Sequence, residues 1–191
     1  MTGSATFHDE LLAVPVLDRD AWVDRELGFG ELPADGPDLP TGAAPYLPSA
    51  VEEILAMVRE LPLRREDELV DIGSGVGRAV ILARLLSGAR ASGIEVQAGL
   101  VSMARERAAA LALRDISFVH ANAADIELDG SAFFLYAPAY GELLARIVKR
   151  LEAVAKRRRM VVCTVALDLR SERWLRPRRT SCETLTIYES K

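Results

Sequence analysis

Short runs of β-branched and aromatic residues alternate with helical segments through most of this chain, and this alternation constrains the fold more than any other feature. The apolar runs predict five strands, near residues 67–72, 90–95, 116–120, 132–137 and 159–167. Apolar residues at helical spacing predict helices between them, at about 76–87, 97–113 and 140–156. Strands of this kind bury both faces, so the pattern predicts an α/β fold with a parallel sheet covered by helices on both sides.

The C-terminal end departs from this alternation. Two strand candidates, at 174–178 and 183–190, are joined by only a few residues, which is too short for a crossover helix. We therefore expect an antiparallel hairpin that completes a mostly parallel, seven-stranded sheet. With 191 residues, the chain is long enough for one such domain and too short for two.

The first 48 residues form a different kind of segment, because they hold six of the nine prolines. That density excludes one long helix, and we expect an ordered but irregular acidic arm. A short helix is predicted from about Asp18 to Leu27, with Trp22 and Leu27 as anchors. The arm is expected to cover the edge of a ligand pocket.

A capping box marks the start of the domain that follows the arm. Ser49 and Glu52 have the S-x-x-E spacing of a helix N-terminus, and Pro62 is expected to end that helix. The chain is thus predicted to divide into a proline-rich arm, residues 1–48, and a folded domain, residues 49–191.

The net charge of −4 conceals a strong asymmetry. Residues 146–191 hold 13 Lys and Arg against 5 Asp and Glu, whereas residues 1–145 hold 11 against 23. The basic residues are interpreted as a solvated helix end, where cations also suit the helix dipole, and an RNA or acidic-partner surface is the alternative. Few aromatic residues lie among these arginines, which argues against a nucleic-acid partner.

Compartment and metal content follow from composition. No window approaches eighteen uncharged apolar residues, and the N-terminus is acidic and polar, so we expect neither a membrane span nor a secretory signal, and a cytoplasmic protein. Cys163 and Cys182 lack the C-x-x-C spacing, and the two histidines lie far apart. We expect structural thiols and no metal site.

The loop LVDIGSGVGRAV, residues 69–80, lies between the first strand and the next helix. In an open parallel sheet, ligands bind beyond the carboxyl ends of the strands at this point. The spacing is not that of a dinucleotide fingerprint, because Arg78 stands at its last position, and no G-K-[ST] of a phosphate loop follows. The loop therefore predicts a cofactor without an obligatory pyrophosphate. Arg78 itself is expected on the helix surface.

The sequence D-I-G-S-G-V-G-R from residue 71 resembles the first motif of class I S-adenosylmethionine-dependent methyltransferases. The resemblance extends from about residue 45 to the C-terminus. It implies a single Rossmann-like methyltransferase domain, with S-adenosylmethionine as the cofactor. It also implies that the cofactor contacts these residues of the loop: Asp71, Gly73, Ser74, Gly75 and Gly77.

The same resemblance implies two further contacts to the cofactor. Glu95 ends the second strand, where the family carries an acidic residue that binds the ribose hydroxyls. Asn122 follows the third strand, where the family often has an aspartate that accepts from the adenine amino group. Asp125 is the alternative at adenine.

The fourth strand ends in Y-A-P-A-Y-G-E, which supplies candidates for the acceptor side. Methyl transfer is an in-line displacement, so the protein has to align the acceptor and exclude water. An ammonium acceptor must also lose a proton. Tyr136, Tyr140 and Glu142 are the catalytic candidates. A core position for Tyr136 and a place for Glu142 in the first turn of the next helix remain alternatives.

The stretch A-P-Y-L-P-S before the capped helix, with the glycine loop and F-F-L-Y-x-P, is similar to a bacterial methyltransferase group. That group is related to the ATP-synthase c-subunit lysine methyltransferases and the non-SET histone-lysine methyltransferases. The resemblance implies that Tyr46 lines the pocket and that a protein lysine is the acceptor. A small metabolite is the alternative acceptor, and packing within the arm is the alternative role of Tyr46.

Many amino-directed members carry [ND]-P-P-[FY] after the fourth strand, of which this sequence keeps one proline and the aromatic residue. The missing polar residue argues against methylation of a nucleic-acid base. A rival from another class is a non-catalytic cofactor-binding or interaction module, because fold alone does not establish activity.

Overall fold

A computed structural model describes residues 4–31, 34–36, 39–61 and 63–191 of the chain. Of the prolines interpreted above, Pro33, Pro37 and Pro62 lie outside the described residues. The strands are β1 (Glu68–Ile72), β2 (Arg90–Glu95), β3 (Ile116–His120), β4 (Ala132–Tyr136), β5 (Val161–Val165), β6 (Leu175–Arg179) and β7 (Leu185–Ser190). They form one seven-stranded sheet in the order β3-β2-β1-β4-β5-β7-β6.

Six α-helices are described along the same ranges, with a 3₁₀ turn at Val16–Asp18. They are α1 (Ser4–Ala13), α2 (Arg19–Leu27), α3 (Val51–Glu60), α4 (Arg78–Ser87), α5 (Ala98–Ala110) and α6 (Gly141–Ala155). Within the described part of the chain, none of these helices has the length and apolar character needed to cross a membrane.

Strands β1 to β5 pair in parallel, and β7 pairs antiparallel with both β5 and β6. The prediction of a mostly parallel sheet closed by an antiparallel hairpin is confirmed. The last strand, β7, lies between β5 and β6 in the sheet, and its Ile187 and Tyr188 are buried. Strand β6 forms the edge, where Arg176 and Pro177 disfavour pairing with another chain.

The helices cover both faces of the sheet, as predicted. Phe134 packs on the side of α3, α4 and α5, whereas Phe133, one residue earlier, packs on the opposite side under α6. This opposition follows from the two-residue period of a strand. In α4 every residue from 78 to 83 is buried, so the helix beside the glycine loop is enclosed.

The N-terminal arm is more helical than predicted. Helix α1 was missed, because the arm's prolines begin only at Pro15 and leave residues 4–13 free to form a helix. Helix α2 lies where a helix was predicted, and Leu27 is buried as expected. Trp22 is half-buried, with its ring centroid 5.4 Å from that of Phe7.

The predicted capping box at the start of α3 was wrong by one residue. Ala50 is the N-cap, and its amide donates to the Glu53 carboxylate at 3.0 Å. Ser49 and Glu52 therefore do not cap the helix; Glu52 instead pairs with Arg19 of the arm at 2.6 Å. Two consecutive glutamates made the register ambiguous in the sequence.

Candidate active site

A cavity lies at the carboxyl ends of β1, β2 and β4, beneath the last part of the arm, residues 43–48. Its walls include these residues predicted from the sequence: Tyr46, Asp71, Gly73, Ser74, Glu95 and Tyr136. A second cavity adjoins it, sharing Gly73 and Pro138, and Asn122 lies in its wall. The structure thus brings together most of the residues proposed for the cofactor.

Two glycines of the loop, Gly75 and Gly77, allow different close contacts. At Gly75 the backbone φ is 52°, and the Tyr46 ring lies so close that any Cβ would overlap it. At Gly77 the φ is 82°, and a Cβ would lie 2.6 Å from the Phe118 ring. Gly77 caps α4 and lets it approach β3, so its role is in helix–sheet packing. Neither Gly75 nor Gly77 is among the residues that line the two cavities.

Glu95 holds the glycine loop from the end of β2. Its Oε2 accepts the amide of Gly75 at 2.9 Å, and its Oε1 accepts the amide of Gln97 at 2.8 Å. Glu95 as a residue is 6% exposed, and the two backbone donors fix the orientation of its carboxylate. A carboxylate has about four acceptor sites, so both oxygens can still accept from a ligand.

Asp71, at the end region of β1, is a buried carboxyl group that receives no hydrogen bond from the described residues. Burial, and next the charge of Glu95, raise its pKa from 3.8 to about 8. Nearby, the buried Ser74 hydroxyl has no hydrogen-bond partner within the described structure. Unpartnered buried polar groups are costly, so this wall is suited to a polar, cationic ligand.

Tyr46 covers the loop from the arm side. Its amide donates to Asp35 Oδ1 at 2.9 Å, and the amide of Ala44 donates to the Pro138 carbonyl at 3.0 Å. Burial raises the pKa of the Tyr46 phenol to about 12, against a lowering effect of Arg78. The phenol is therefore protonated at neutral pH and donates a hydrogen bond more readily than it accepts a proton.

The prediction that Arg78 lies on the helix surface was wrong. The residue is 4% exposed, and its guanidinium donates to Asp24 at 3.0 Å, to Asp20 at 2.9 Å and to the Ser49 carbonyl. Asp20 and Asp24 lie four residues apart on α2, and this pair of acids was the signal for a buried cation. Arg78 joins the arm to the helix that follows the glycine loop.

The acceptor candidates do not all reach the cavity. Tyr136 lines it, and burial, with a smaller effect of Glu53, raises the pKa of its phenol. Tyr140 is 62% exposed at the N-cap of α6, and Glu142 is exposed in the first turn of that helix. Neither lines either cavity, and the position of Glu142 suits the helix dipole.

The two candidates for the adenine contact lie in different places, one in a cavity wall and one on the surface. Asn122 lines the second cavity, and its Oδ1 accepts the amide of Ala124 at 2.9 Å, which orients the side chain. Asp125 is exposed outside both cavities and pairs with Arg146. The geometry favours Asn122 over Asp125.

The family model described as histone methylation protein DOT1 matches residues 46–147, more than half of the chain. The matched range contains the glycine loop, Glu95, Asn122 and Tyr136. The chain belongs to this family. It is a methyltransferase of the S-adenosylmethionine-dependent class, which favours the enzyme over a non-catalytic module. A comparison with curated proteins gives no match.

Solved structures agree on the fold of this DOT1 family member. One is an RNA methyltransferase from Salinibacter ruber in complex with S-adenosyl-L-homocysteine, with 26% identity, a TM-score of 0.61, and coverage of 75% of this chain and 92% of that one. Another is a mutant of MtNAS in complex with S-adenosylmethionine, with 16% identity and a TM-score of 0.59, covering 73% and 62%. A third, the mitomycin 7-O-methyltransferase MmcR, has 16% identity and a TM-score of 0.56, covering 72% and 52%. This chain spans less than two thirds of the last two proteins.

Sequence reasoning missed two residues that shape the site of this family member. Asp35 and Gln97 contact each other and flank Tyr46 and Glu95, although 62 positions separate them in sequence. No local pattern connects two such polar residues. Asp35 also precedes the range matched by the family model, which begins at Tyr46.

Proposed function

We propose that this DOT1 family member transfers the methyl group of S-adenosylmethionine to the side-chain nitrogen of a protein lysine. The observation that carries the proposal is a cavity lined by the buried acids Asp71 and Glu95 together with Tyr46 and Tyr136. Acidic groups suit a cationic donor, and aromatic walls suit a long side chain with a cationic head.

The residues present fit the donor. The buried Ser74 hydroxyl lacks a partner among the described residues, and the buried Asp71 carboxyl lines the same cavity. The donor carries an ammonium group and several polar atoms that could bind both groups. We assign the ribose hydroxyls to Glu95, whose carboxylate is already oriented by two amides. We assign the adenine amino group to Asn122. S-adenosylmethionine supplies a methyl group that is activated by its bond to a sulfonium.

The family description and the shape of the site support a lysine acceptor. Tyr46 and Tyr136 present aromatic surface to the same cavity, and the pKa of each phenol is raised by burial. Each phenol is therefore a hydrogen-bond donor at neutral pH and does not take the lysine proton. We assign Tyr136 the role of orienting the amine, which loses its proton to solvent before it accepts the methyl group.

RNA is the second candidate acceptor, because the Salinibacter ruber protein is described as an RNA methyltransferase. The charges of this chain favour protein over RNA. Three arginines along α6 and just beyond it are engaged in ion pairs with acids of the β3–β4 connection: Arg146 with Asp125, Arg157 with Glu127 and Arg158 with Asp129. Pairing of this kind lowers the attraction of the surface for phosphates.

The test combines binding with identification of the product. Calorimetric titration with S-adenosylmethionine and, separately, with NAD should give saturable binding of the methyl donor alone. The protein is then incubated with isotopically labelled S-adenosylmethionine and, in parallel, with core histones, a lysine-rich peptide, total RNA or small amines. Mass spectrometry should find one or more added methyl groups on lysine. Label found only in RNA or in the small amines would overturn the lysine assignment.

A further inference from the structure

We infer that Asp35 is a positioning residue for the donor site, acting through Tyr46 and Gln97; this inference rests on the function proposed above. Asp35 lies on the arm, outside the walls of the cavity. Its contacts nevertheless connect the two sides of that cavity, the arm segment that carries Tyr46 and the turn that follows Glu95.

One carboxylate oxygen of Asp35 accepts two hydrogen bonds. The amide of Tyr46 donates to Oδ1 at 2.9 Å, and Gln97 Nε2 donates to the same oxygen at 2.9 Å. An ionised carboxylate is a strong acceptor for two donors at once. Asp35 thus fixes the backbone of Tyr46 relative to the side chain of Gln97.

The oxygen of the Gln97 side-chain amide also binds the arm. Gln97 Oε1 accepts the amide of Gly36 at 2.6 Å, so consecutive arm residues bind both ends of one side-chain amide. Its own backbone amide donates to Glu95 Oε1 at 2.8 Å. A glutamate at this position would lose the donor and would place a second negative charge beside Asp35, so the amide is the functional group that the arrangement requires.

Together these contacts form a closed ring of interactions that includes Gly75 of the glycine loop. From Gln97 the connection passes to Glu95, whose Oε2 accepts the amide of Gly75 at 2.9 Å. Gly75 in turn contacts the aromatic side chain of Tyr46. A shift of the arm at Asp35 would therefore move Tyr46 away from Gly75. It would also release the turn that holds the Glu95 carboxylate. The ring predicts that Asp35 changes donor affinity without touching the donor.

The experiment compares Asp35→Ala, which removes the accepting oxygen, with Asp35→Asn, which keeps it. Asp35 is exposed, so each bond is of modest strength and Asp35→Ala should weaken S-adenosylmethionine binding by about threefold to tenfold. Asp35→Asn should bind within about twofold of the wild type, because Oδ1 still accepts. Glu31→Ala, which removes an exposed acid of the same arm, is the matched control and should leave affinity unchanged.

A double-mutant cycle with Gln97→Ala tests the ring directly. Gln97→Ala should weaken donor binding to a similar extent, and the Asp35→Ala/Gln97→Ala pair should lose little more than either single variant. The loss should appear in KM for the donor, with kcat little changed. Thermal unfolding of each variant checks that the fold is retained, and Gln97→Ala alone tests the ring if Asp35→Ala fails to fold.

The outcomes separate this inference from the proposed function. Absence of S-adenosylmethionine binding by the wild type would overturn the proposed function itself. Wild-type binding with unchanged affinity in Asp35→Ala, or additive losses in the pair, would overturn the positioning role. Loss in both Asp35→Ala and Asp35→Asn would show that the negative charge of Asp35, and not its hydrogen bonds, acts on the donor, and would also overturn it.

Discussion

Glu95 accepts the amide of Gly75 at 2.9 Å, so the end of β2 holds the glycine loop that follows β1. The same carboxylate is thereby fixed in the wall of the cavity, with 6% of the residue exposed. A ligand that binds this carboxylate meets a group whose orientation is already set, which reduces the entropy lost on binding.

Glu95→Ala is expected to weaken S-adenosylmethionine binding by about ten- to a hundredfold, because it removes a charged acceptor and releases the Gly75 amide. Calorimetry measures the affinity, and urea unfolding should remain cooperative. Glu127→Ala is the control, since that acid is exposed and pairs with Arg157 away from the cavity walls. Equal affinities of wild type and Glu95→Ala would contradict the ribose assignment.

The two adenine candidates give opposite expectations. Asn122→Ala should weaken donor binding by about threefold to tenfold, because an oriented amide is lost from the second cavity. Asp125→Ala should leave the affinity unchanged, because that side chain is exposed and engaged with Arg146. Calorimetry of the two variants side by side decides the assignment. The reverse ranking would return Asp125 to the site.

Asp71 should make stability depend on pH. Its pKa of about 8 in the folded protein lies above its ordinary value of 3.8, so the folded state binds more protons than the unfolded state between these values. Stability attributable to Asp71 is therefore complete below the lower value and declines as pH rises through the upper one. Urea unfolding at about pH 5 and about pH 8 should show a smaller decline in Asp71→Asn than in the wild type. Parallel declines in the two proteins would contradict the raised pKa.

Binding of the donor should also change the protonation of Asp71. A cationic ligand beside Asp71 favours the carboxylate, so binding near neutral pH should release a proton. Titrations in buffers of different ionisation enthalpy measure this release. The release should disappear in Asp71→Asn, which should also bind the donor more weakly; release unchanged in that variant would assign the proton to another group.

Arg78→Ala should loosen the arm. Its guanidinium is buried, and it donates to two acids of α2 and to the Ser49 carbonyl. Loss of these charged hydrogen bonds should cost about 2–4 kcal/mol of the free energy of unfolding. Limited proteolysis should cut the arm faster than in the wild type. Arg25→Ala is the control, because Arg25 lies on α2, beside the acids that Arg78 binds, and has an exposed side chain. Equal effects of the two substitutions would contradict the role of Arg78.

Much of the fold was predictable, and the reason is local. Strand β3 has the bounds expected from its apolar run, and the hairpin of β6 and β7 followed from a connection too short for a helix. The errors lie where local signals were ambiguous. Glu52 and Glu53 offered two registers for one capping box, and the proline density of the whole arm concealed the proline-free helix α1.

The sequence by itself determined the sheet and the position of the glycine loop. The periods of strands and helices are read from residues close together in the chain, and in a parallel sheet the loop after the first strand lies at the carboxyl ends, where ligands bind. Only the tertiary structure decided which candidates share the cavity. It buried Arg78 under the acids of α2, left Asp125 outside, and joined Asp35 to Gln97 across 62 positions. These contacts form between side chains that are distant along the chain, so their geometry depends on how the arm packs against the completed sheet.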